Sequence, residues 1–477
     1  MLHGVHTNTE RTNKLNLEDA QTNIIAALVT VPTFLLSADN KTLNTPVPIR
    51  NYQDIADYAG VNLPDYTGYD TLDTIMTESE GATVYMINVF DEATHKTAVA
   101  EADMTVTNKK VVIDKYVKSL TSVKNGSTPI AESAYTVAYD DSGNTVITFT
   151  DNLSTVKIAY EYYDVTQVGS SDFVGAVDSD GIKSGSKAIS DILALYGDDV
   201  NIIIAPVYSA IPAVRTALDN VAADLKARVY ADAPLATRVN TAIQGRTSDN
   251  PTVDLRCVSP NVTICLPWVK RYNQHTDTVE TKAPSAVAAG LRVYLNKTEN
   301  VAKSLDNTVC KTVLGLEYPV EFILNKENTE SNALNGAGIT TFINYKGGYR
   351  IYGARNCAYP SESGIETFDS VIDTRNFIEK TIENSSFECV GSRLTKGFID
   401  NVLDVINAKF NEWKNAENQI ILGGNAWFDE SRNPAQQLAN GKVRISYKFC
   451  PPPVVEELEY SSYIDINIIT QALTNAD

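Results

Sequence analysis

Short apolar runs recur along the chain and alternate with longer stretches whose apolar residues follow a helical spacing. The run Asn23–Pro32 is almost entirely apolar and ends at a proline, which is typical of a strand buried on both faces of a sheet. We expect this strand to be central. Similar runs follow at Ala82–Val89, Val200–Ala205, Arg228–Ala231 and Val262–Leu266. Strands that alternate with helices predict an α/β (α+β) body, a mixed sheet flanked by helices, with right-handed crossovers between parallel strands.

Caps and apolar stripes mark the helices of this body. Asn51 is a side-chain cap for a short helix that runs to Tyr58 and ends at Gly60. In the predicted helix Leu394–Asn415 the apolar residues repeat at helical spacing, which indicates core packing. Further helices are predicted at Tyr69–Glu78, Lys187–Tyr196, Ile211–Ala227, Pro284–Asn296 and Phe368–Asn384, and a β-hairpin with a Gly347-Gly348 turn at Ile339–Tyr352.

Between Met104 and Gln167 the pattern changes to short alternating strands separated by turn sequences such as Asn125-Gly126. This pattern predicts an all-β sandwich of immunoglobulin-like size, inserted into the α/β body. The stretches Val168–Gly175 and Asp178–Gly185, rich in Gly, Ser and Asp, are interpreted as the return linker. The predicted strands are Lys109–Asp114, Tyr135–Tyr139, Thr145–Phe149 and Val156–Tyr163.

The C-terminal stretch combines a strand, a proline spacer and an unpaired apolar face. Lys442–Phe449 is predicted to be a strand, and Pro451–Pro453 remove backbone donors and favour extended dihedrals. Beyond them Ile464, Ile466 and Ile468 alternate with Asp465 and Asn467, which predicts a further strand with one apolar face. No later element is available to cover that face.

The predicted organisation therefore has a body with an arm at each end. Residues 1–22 are polar and weakly periodic, which predicts disorder in the isolated chain, and they form the N-terminal arm. The body comprises 23–103 and 185–454, the inserted β-domain with its linker comprises 104–184, and the C-terminal arm comprises 455–477.

Composition limits the class of protein. The 477 residues are 43% apolar, enough for a core in about two or three domains. No stretch approaches the roughly 20 apolar residues that cross a bilayer, and the first residues lack the pattern of a signal peptide, so we expect a soluble protein without membrane insertion. The net charge of −19 argues against direct nucleic-acid binding, which requires a surplus of Lys and Arg.

Candidate catalytic and metal-binding residues are few. Of the four histidines, His3 and His6 lie in the N-terminal segment and have no third metal ligand nearby, whereas His95 and His275 lie far apart in polar stretches. The six cysteines are scattered, which favours buried reduced thiols, although a distant Cys/His pair at Cys257, Cys265 or Cys357 stays open. No phosphate-binding loop motif occurs, and the acidic pairs Asp140-Asp141, Asp198-Asp199 and Glu456-Glu457 are expected at solvated positions. We expect no cofactor, no metal and no enzymatic activity.

Six motifs occur in order along the chain outside the predicted insertion. The first three are Asn23–Pro32 with LNTPVPI from Leu43, then IIIAPV from Ile202, and APSAVAAGL from Ala283. The last three are LNGAGITT from Leu334, GYRIYGAR at Gly348–Arg355, and NGKVRISY from Asn440 before the prolines. Together they resemble the motifs of contractile tail sheath proteins of phages and phage-tail-like bacteriocins. The chain departs from that pattern at Tyr352, where tryptophan is commoner, at the insertion, and at Thr298–Ala302.

The resemblance implies a structural subunit. In such a family, extended arms add strands to a sheet in neighbouring subunits, and the sheath contracts from a metastable extended state to drive an inner tube through a target envelope. The implied partners are further copies of the chain, the inner tail tube protein, and the baseplate and tail terminator proteins at the ends. The implied location is a virion tail or bacteriocin particle made in the host bacterial cytoplasm.

The resemblance also assigns roles to residues. The implied subunit-linking residues are Val5, Thr7, Tyr460, Tyr463, Ile464, Ile466 and Ile468, and the implied hinges are Pro451, Pro452 and Pro453 with the segment Thr7–Lys14. Lys396, Lys409 and Lys414 on the predicted helix Leu394–Asn415 are candidates to face an acidic tube, and a solvated helix face is the alternative. Two other functions stay open: a surface adhesion or receptor-binding protein that uses the β-insertion, and an enzyme with a cryptic Cys/His site.

Overall fold

The strands and helices of the body alternate along the chain in the computed structural model, which describes residues 15–140, 143–247 and 252–474. The strands are β1 Ile24–Val29, β2 Val47–Ile49, β3 Thr83–Asn88, β4 Lys96–Thr105, β5 Lys110–Ile113, β6 Val117–Asn125, β7 Thr128–Pro129, β8 Tyr135–Tyr139, β9 Thr145–Phe149, β10 Thr155–Tyr163, β11 Ile202–Ile204, β12 Arg228–Asp232, β13 Val262–Cys265, β14 Val269–Asn273, β15 Thr278–Lys282, β16 Thr308–Val309, β17 Gly315–Leu316, β18 Ile339–Tyr345, β19 Gly348–Tyr352, β20 Gly423–Phe428 and β21 Ile445–Cys450. The α-helices are α1 Tyr52–Ala59, α2 Gly68–Ser79, α3 Ser170–Val174, α4 Asp191–Tyr196, α5 Pro212–Leu225, α6 Val239–Thr247, α7 Ser285–Thr298, α8 Glu330–Gly336, α9 Asp369–Ser386, α10 Lys396–Asn415, α11 Ala435–Ala439 and α12 Asn467–Thr474.

A mixed sheet forms the centre of the body. In the described part of the chain it has 9 strands in the order β16-β19-β18-β13-β12-β11-β1-β3-β2. The strands from β18 to β3 run parallel, whereas β2, β19 and β16 pair antiparallel with their neighbours. The α/β prediction is confirmed, and β1 is central as expected, with β11 on one side and β3 on the other.

The alternation of side chains along β1 explains why the sheet is buried on both faces. Ile24, Ala26 and Leu28 belong to one hydrophobic cluster, and Ile25, Ala27 and Val29 belong to another. Successive side chains of a strand point to opposite faces, so a strand whose residues are all buried has to be covered by helices on each side. Helix α5 contributes to the first cluster, and helices α2 and α7 contribute to the second.

Helices α2 and α7 are in close contact at Gly290, the glycine of the AGL motif. A Cβ atom on Gly290 would lie 2.7 Å from the Cβ atom of Glu78 and 3.3 Å from the Cα atom of Ile75. Both atoms belong to α2, one of them to its backbone, so neither yields easily. The sequence motif therefore encodes a helix contact that any larger side chain would force apart.

We expect Gly290→Ala to destabilise the body by about 1 to 3 kcal/mol, because overpacking of a close helix contact outweighs the gain in helix propensity. Gly336→Ala in α8 is the matched control, since nothing lies within 4 Å of the added Cβ there. That substitution should be neutral or stabilising by up to about 1 kcal/mol. Denaturant midpoints of the two variants measure the difference, and equal midpoints would contradict the packing argument.

The local signals around α1 and the β18–β19 hairpin are largely confirmed. The Asn51 side chain accepts a hydrogen bond from the Asp54 N–H, and Gly60 ends α1 with a φ of 71°. In the hairpin, Tyr345 pairs with Gly348, so the two turn residues are Lys346 and Gly347 rather than Gly347 and Gly348. Both have positive φ, 52° and 78°, as a two-residue turn between twisted strands requires.

Residues 96–163 form two antiparallel sheets around a shared hydrophobic cluster. The sheets have the orders β4-β10-β6-β7 and β5-β9-β8, and their buried side chains form one cluster. The predictions for β8 and β9 match the observed bounds, whereas β4 and β6 were missed and the first strand begins at Lys96, not near Met104. Strand β4 lies at a sheet edge with mostly exposed, small or polar side chains, so it lacks the alternation that identifies a strand.

The strand predicted across Ile464, Ile466 and Ile468 is not formed in the single chain. No helix or strand occurs from 451 to 466, and helix α12 follows from Asn467. A strand without a neighbour leaves its backbone donors and acceptors unpaired, so alternation alone does not fix it. Ile468 and Ile469, with Ala472 and Leu473 four residues further on, also satisfy a helical spacing.

Candidate assembly site

Helix α10 and the hairpin β20–β21 form a C-terminal subdomain, which precedes the C-terminal segment 451–474. Helix α10 packs on the hairpin β20–β21, and the side chains of Val402, Ile406, Phe410 and Trp413 are buried in a cluster that also contains Ile378 of α9. The predicted apolar stripe is therefore core packing, as expected. Its first predicted member, Leu394, is exposed and precedes the helix, which begins at Lys396 after the Thr395 side-chain cap.

The N-terminal segment is held by this subdomain from Leu15 onward. Leu15 and Leu17 are buried in the α10 cluster. The Glu18 N–H donates to Ser385 Oγ at 3.2 Å, and the Ala20 N–H donates to Thr381 Oγ1 at 3.0 Å, both on α9. The predicted arm residues Val5 and Thr7, the segment Thr7–Lys14, and His3 and His6 lie outside the described residues.

Asp19 is the polar anchor of this segment, and it engages one of the predicted tube-facing lysines. Trp413 Nε1 donates to Asp19 Oδ1 at 3.1 Å, and Lys409 Nζ lies 3.1 Å from the same oxygen and 2.8 Å from Glu412 Oε1. Burial lowers the pKa of Lys409, but its hydrogen bonds to Glu412 and Asp19 outweigh burial and raise the pKa overall. The Lys409 side chain is only 11% exposed. The charge of Lys409 is therefore paired with Asp19 and Glu412 in the single chain, and its contact with a tube stays a prediction.

Lys396 and Lys414 are exposed at the two ends of α10. The same helix carries Asp400, Asp404 and Glu412 on exposed positions, so its outer face is of mixed charge. A mixed face is typical of a solvated helix as well as of a contact surface. These two lysines stay as candidates for a contact with an acidic partner.

The proline run lies between two fixed points. Strand β21 ends at Cys450, and Pro451 is buried. Val454 packs against a small cluster formed by Ala354, Phe368 and Val371. The chain is thus attached to the body on both sides of Pro451–Pro453.

Among the described residues of the C-terminal segment, Glu456 is the last one with a hydrogen bond or an ion pair to the body. Its carboxylate accepts two hydrogen bonds from Arg355, Nε to Oε1 at 2.8 Å and Nη2 to Oε2 at 2.5 Å. The Arg355 guanidinium lies 3.7 Å from the centroid of the Phe368 ring and 4.8 Å from that of Tyr359, and it also donates to Thr367 Oγ1. Arg355 belongs to the GYRIYGAR motif, and sequence reasoning gave it no separate role.

Beyond Glu456 the predicted subunit-linking side chains are exposed. Tyr463 is 90% exposed and Ile464 is 98% exposed. Tyr460, Ile466 and Ile468 are exposed as well, and so are Ile469 and Leu473 of α12. A run of large apolar side chains in water is costly unless a partner covers it.

The hairpin β20–β21 offers one open edge on the same subdomain, that of β21. Its strands pair along their length from Gly423 with Cys450 to Phe428 with Ile445. Within the described residues it forms a sheet of only 2 strands. On the β20 edge the Ala426 N–H donates to Asn407 Oδ1 at 2.7 Å and the Ala426 carbonyl accepts from Asn407 Nδ2 at 3.1 Å, so α10 occupies that edge. The outer backbone groups of β21 have no strand partner. Such an edge is a template for pairing with another extended segment.

The residues considered for catalysis lie apart from this subdomain. His95 Nδ1 accepts a hydrogen bond from the Asp91 N–H at 2.8 Å, and its Nε2 lies 3.5 Å from Asp172 Oδ2, at the start of β4. His275 lies in the turn between β14 and β15. Among the residues that the structure describes, no group of three or more His, Cys, Asp or Glu side chains could hold a metal ion.

The Cys257 and Cys357 thiols are neighbours. A hydrogen bond with Cys357 lowers the pKa of Cys257 to about 7 against the opposing effect of burial, with smaller contributions from the Ser259 N–H and Arg215. Burial raises the pKa of Cys357. Arg246 donates to both backbone carbonyls, to Cys257 O at 2.6 Å and to Cys357 O at 2.8 Å, so it ties the two loops together. Over the described ranges, no helix is long and apolar enough to span a membrane.

Comparison with known proteins identifies the family. The profile of the phage tail sheath protein central domain matches residues 181–357. The tail sheath protein of Burkholderia phage BcepMu (isolate -/United States/Summer/2002) is 32% identical over 476 residues, covering 97% of this chain and 96% of the relative. The tail sheath protein of Escherichia phage P2 is 27% identical over 307 residues, covering 64% of this chain and 74% of the relative.

Solved structures share the fold. The sheath complex of the extracellular contractile injection system PVC, in its contracted state, aligns with a TM-score of 0.60 at 13% identity and covers 98% of this chain and 99% of its own. The helical sheath of the anti-feeding prophage, also contracted, aligns with a TM-score of 0.57 at 14% identity and covers 98% and 99%. The architecture is thus that of contractile sheath subunits. The chain belongs to the phage tail sheath family, which consists of structural components of virion tails and tail-like particles, and the resemblance seen in the sequence is confirmed.

Proposed function

We propose that this chain polymerises around an inner tube through its arms and contracts from a metastable extended state, driving the tube through a target envelope. The observation that carries the proposal is the C-terminal segment after Glu456, whose large apolar side chains are exposed in the single chain. An isolated subunit gains nothing from that exposure, whereas a second copy that covers it gains free energy on assembly. Membership in the sheath family supports the same conclusion.

The joint between subunits is a strand addition. The outer edge of β21 supplies backbone donors and acceptors without a strand partner, and an arm from a neighbouring copy supplies the complementary set. In this arrangement Ile464, Ile466 and Ile468 pack on the neighbour's hydrophobic face. The N-terminal arm, which contains Val5 and Thr7, joins the same sheet from a second neighbour.

Linking by arms is compatible with contraction, because the contacts that link subunits are then distinct from the contacts between their bodies. Backbone hydrogen bonds in a shared sheet persist while subunits rotate and slide, and the contacts between bodies exchange partners. The sheath then shortens without falling apart. Its other partners are the tube protein, with Lys396 and Lys414 as contact candidates, and baseplate and terminator proteins at the two ends.

Electron microscopy of the purified full-length protein tests this function. We expect hollow tubes or rings of regular repeat, because each copy carries both the arms and the hairpin that receives them. A protein that stays monomeric at high concentration, with its described fold intact by circular dichroism, would contradict the proposal. Addition of an acidic tube protein should increase tube length if α10 faces the tube.

The β-region at 96–163 supports a second candidate function, surface adhesion or receptor binding. Val112 and Val137 are exposed on its sheets, 60% and 44% respectively, which leaves apolar surface for a ligand. The two ends of the region are adjacent, because the Asp164 N–H donates to the His95 carbonyl at 3.0 Å. The region can therefore be removed without stretching the body.

Replacement of 96–163 by a short Gly-Ser linker separates the two functions. We expect the shortened protein to fold and to assemble into tubes, because the arms and the hairpin β20–β21 are untouched. Phe34, which stacks on Tyr163 at 4.2 Å between ring centroids, becomes exposed, so Phe34→Ser is included to keep the protein soluble. Loss of assembly with a preserved melting temperature would instead place the subunit contact in the β-region.

A further inference from the structure

Arg355 holds the root of the C-terminal arm. We infer that two contacts, together called the clamp, fix the chain to the body at this point: the bidentate pair of Arg355 with Glu456, and the packing of Val454 on its apolar cluster. The flexible joint of the arm then lies after Glu456 and not at the prolines. This inference rests on the proposed function of the arm, and it adds a positioning residue and a location for the joint. Three observations carry it.

The first observation is the geometry of the ion pair. Arg355 presents two adjacent donors to the two oxygens of Glu456, at 2.8 Å and 2.5 Å. A fork of this kind fixes direction as well as distance, because both hydrogen bonds have to be kept at once. The arm therefore leaves the body along one direction.

The second observation is that Arg355 is itself fixed. Its guanidinium stacks on the Phe368 ring at 3.7 Å, and its backbone bridges to Phe368. The neighbouring Asn356 N–H donates to Thr367 O at 2.8 Å. The guanidinium plane, the backbone and the Nη1 atom of Arg355 are thus all held in place by other contacts. Arg355 therefore loses little further conformational entropy when it binds the Glu456 carboxylate.

The third observation is that the apolar contact of Val454 and the ion pair of Glu456 lie on the same patch of the body. Val454 packs on the cluster that contains Ala354 and Phe368. Ala354 directly precedes Arg355, and Phe368 carries the ring on which the Arg355 guanidinium stacks. The prolines between Cys450 and Val454 thus connect two attached points and cannot swing freely. Glu457 follows directly, is exposed, and makes no hydrogen bond or ion pair among the described residues, so it provides a matched comparison.

The functional consequence concerns assembly. An arm with a fixed root samples a smaller volume than one free from Pro451, which raises its effective concentration at a neighbour placed along its direction. When bodies rotate, the joint after Glu456 bends and the root stays on its own subunit. The pair is partly exposed, with 17% of the Arg355 side chain and 41% of the Glu456 side chain accessible, so salt weakens the clamp.

Chymotrypsin digestion of the full-length, unassembled chain tests the clamp. Cleavage after Leu458 requires Val455 and Glu456 to enter the protease, whereas cleavage after Tyr463 involves only residues beyond the clamp. The ratio of the two initial rates therefore reports release of the root, with Tyr463 as an internal reference. We expect Glu456→Gln to raise this ratio about three- to five-fold, a range typical of one partly exposed ion pair, and Glu457→Gln to leave it unchanged.

Three controls make the result specific. Synthetic peptides of residues 450–466 with each substitution correct for the intrinsic preference of the protease. Arg355→Lys, which keeps the charge but loses the fork, should raise the ratio as Glu456→Gln does, and the double variant should add nothing further. Between about 0.05 M and about 0.5 M NaCl the ratio of the unmodified chain should rise and that of Glu456→Gln should not.

Equal corrected ratios for Glu456→Gln, Glu457→Gln and the unmodified chain would overturn the clamp. If Arg355→Lys lowers the melting temperature, that variant no longer reports on the clamp, and the comparison of Glu456→Gln with Glu457→Gln tests the inference by itself. This failure is distinct from a failure of the proposed function, which is tested by removal of the arm. An arm whose removal abolishes assembly but whose root is not clamped would leave the proposed function standing and remove only the inference.

Discussion

Removal of Tyr460–Asp477 is expected to abolish assembly and to leave a folded body. In the part of this segment that the structure describes, 460–474, no side chain makes a hydrogen bond or an ion pair with the rest of the chain. The melting temperature of the body should therefore change by no more than about 2 °C. Sedimentation should find the truncated protein entirely in the supernatant under conditions in which the full-length protein pellets as tubes. Normal tubes from the truncated protein would show that the arm does not link subunits.

Point substitutions then determine how the arm docks. If it docks as a strand, Asn at Ile464, Ile466 and Ile468 removes one whole apolar face. At about 1.5 to 3 kcal/mol for each buried Ile, the contact weakens by at least about 10³-fold. Substitutions at Asp465 and Asn467, on the opposite face, should be tolerated. This contrast is a consequence of the two-residue period of strands.

The helix α12 provides the alternative that this experiment has to exclude. If the arm docks as the helix seen in the single chain, Ile468, Ile469 and Leu473 form the contact face, and Ile464 lies before it. Asn at Ile469 and Leu473 would then abolish assembly, whereas Asn at Ile464 would have little effect. The two patterns share only Ile468, so the variants at Ile464 and Leu473 suffice to separate them.

The strands and helices that were predicted correctly are those identified by a hydrophobic pattern within a single short segment. The buried run of β1 and the parallel strands β11 to β13 were predicted, because a strand covered on both faces has to be apolar at nearly every position. The helix stripes of α5 and α10 were also predicted, since apolar spacing alone identifies a helix face. Strand β4 failed for the converse reason, because its small or polar side chains are mostly exposed and carry no alternation.

The contacts that hold the arms could not be predicted from the sequence. Asp19 and Trp413 are 394 residues apart, and Arg355 and Glu456 are 101 residues apart. A polar contact over such a separation leaves no period or spacing in either segment. The sequence therefore predicts a solvated position for Glu456 and a possible tube contact for Lys409, and it does not indicate the partner of either side chain. Only the fold brings these partners together, which is why the site residues were less predictable than the strands.

Asp369→Ala is expected to produce the largest loss of stability. The Asp369 carboxylate accepts hydrogen bonds from Arg228 Nη2 at 2.7 Å and from Thr263 Oγ1 at 2.9 Å, and Arg228 is 1% exposed. Its removal leaves a buried guanidinium whose remaining carboxylate, Asp373, lies 4.0 Å away. We expect a cost of about 3 to 5 kcal/mol in the free energy of unfolding, measured from denaturant midpoints, because the buried guanidinium loses its closest carboxylate and keeps only the more distant Asp373 and two neutral oxygens.

Two further variants serve as controls for this prediction, one at an exposed ion pair and one that removes both charges of the buried pair. Asp254→Ala breaks the exposed pair with Arg256, where 49% of the Arg256 side chain is accessible, and should cost at most about 1 kcal/mol. The double substitution Arg228→Met with Asp369→Leu should recover most of the loss, because it removes both charges from the same buried space. Asp369 is the first residue of α9, the helix that runs from the central sheet to the cluster around α10. If the double variant is stable but assembles poorly, the pair serves to orient α9, and with it the C-terminal subdomain that packs against the segment from Leu15 onward, rather than to stabilise the body.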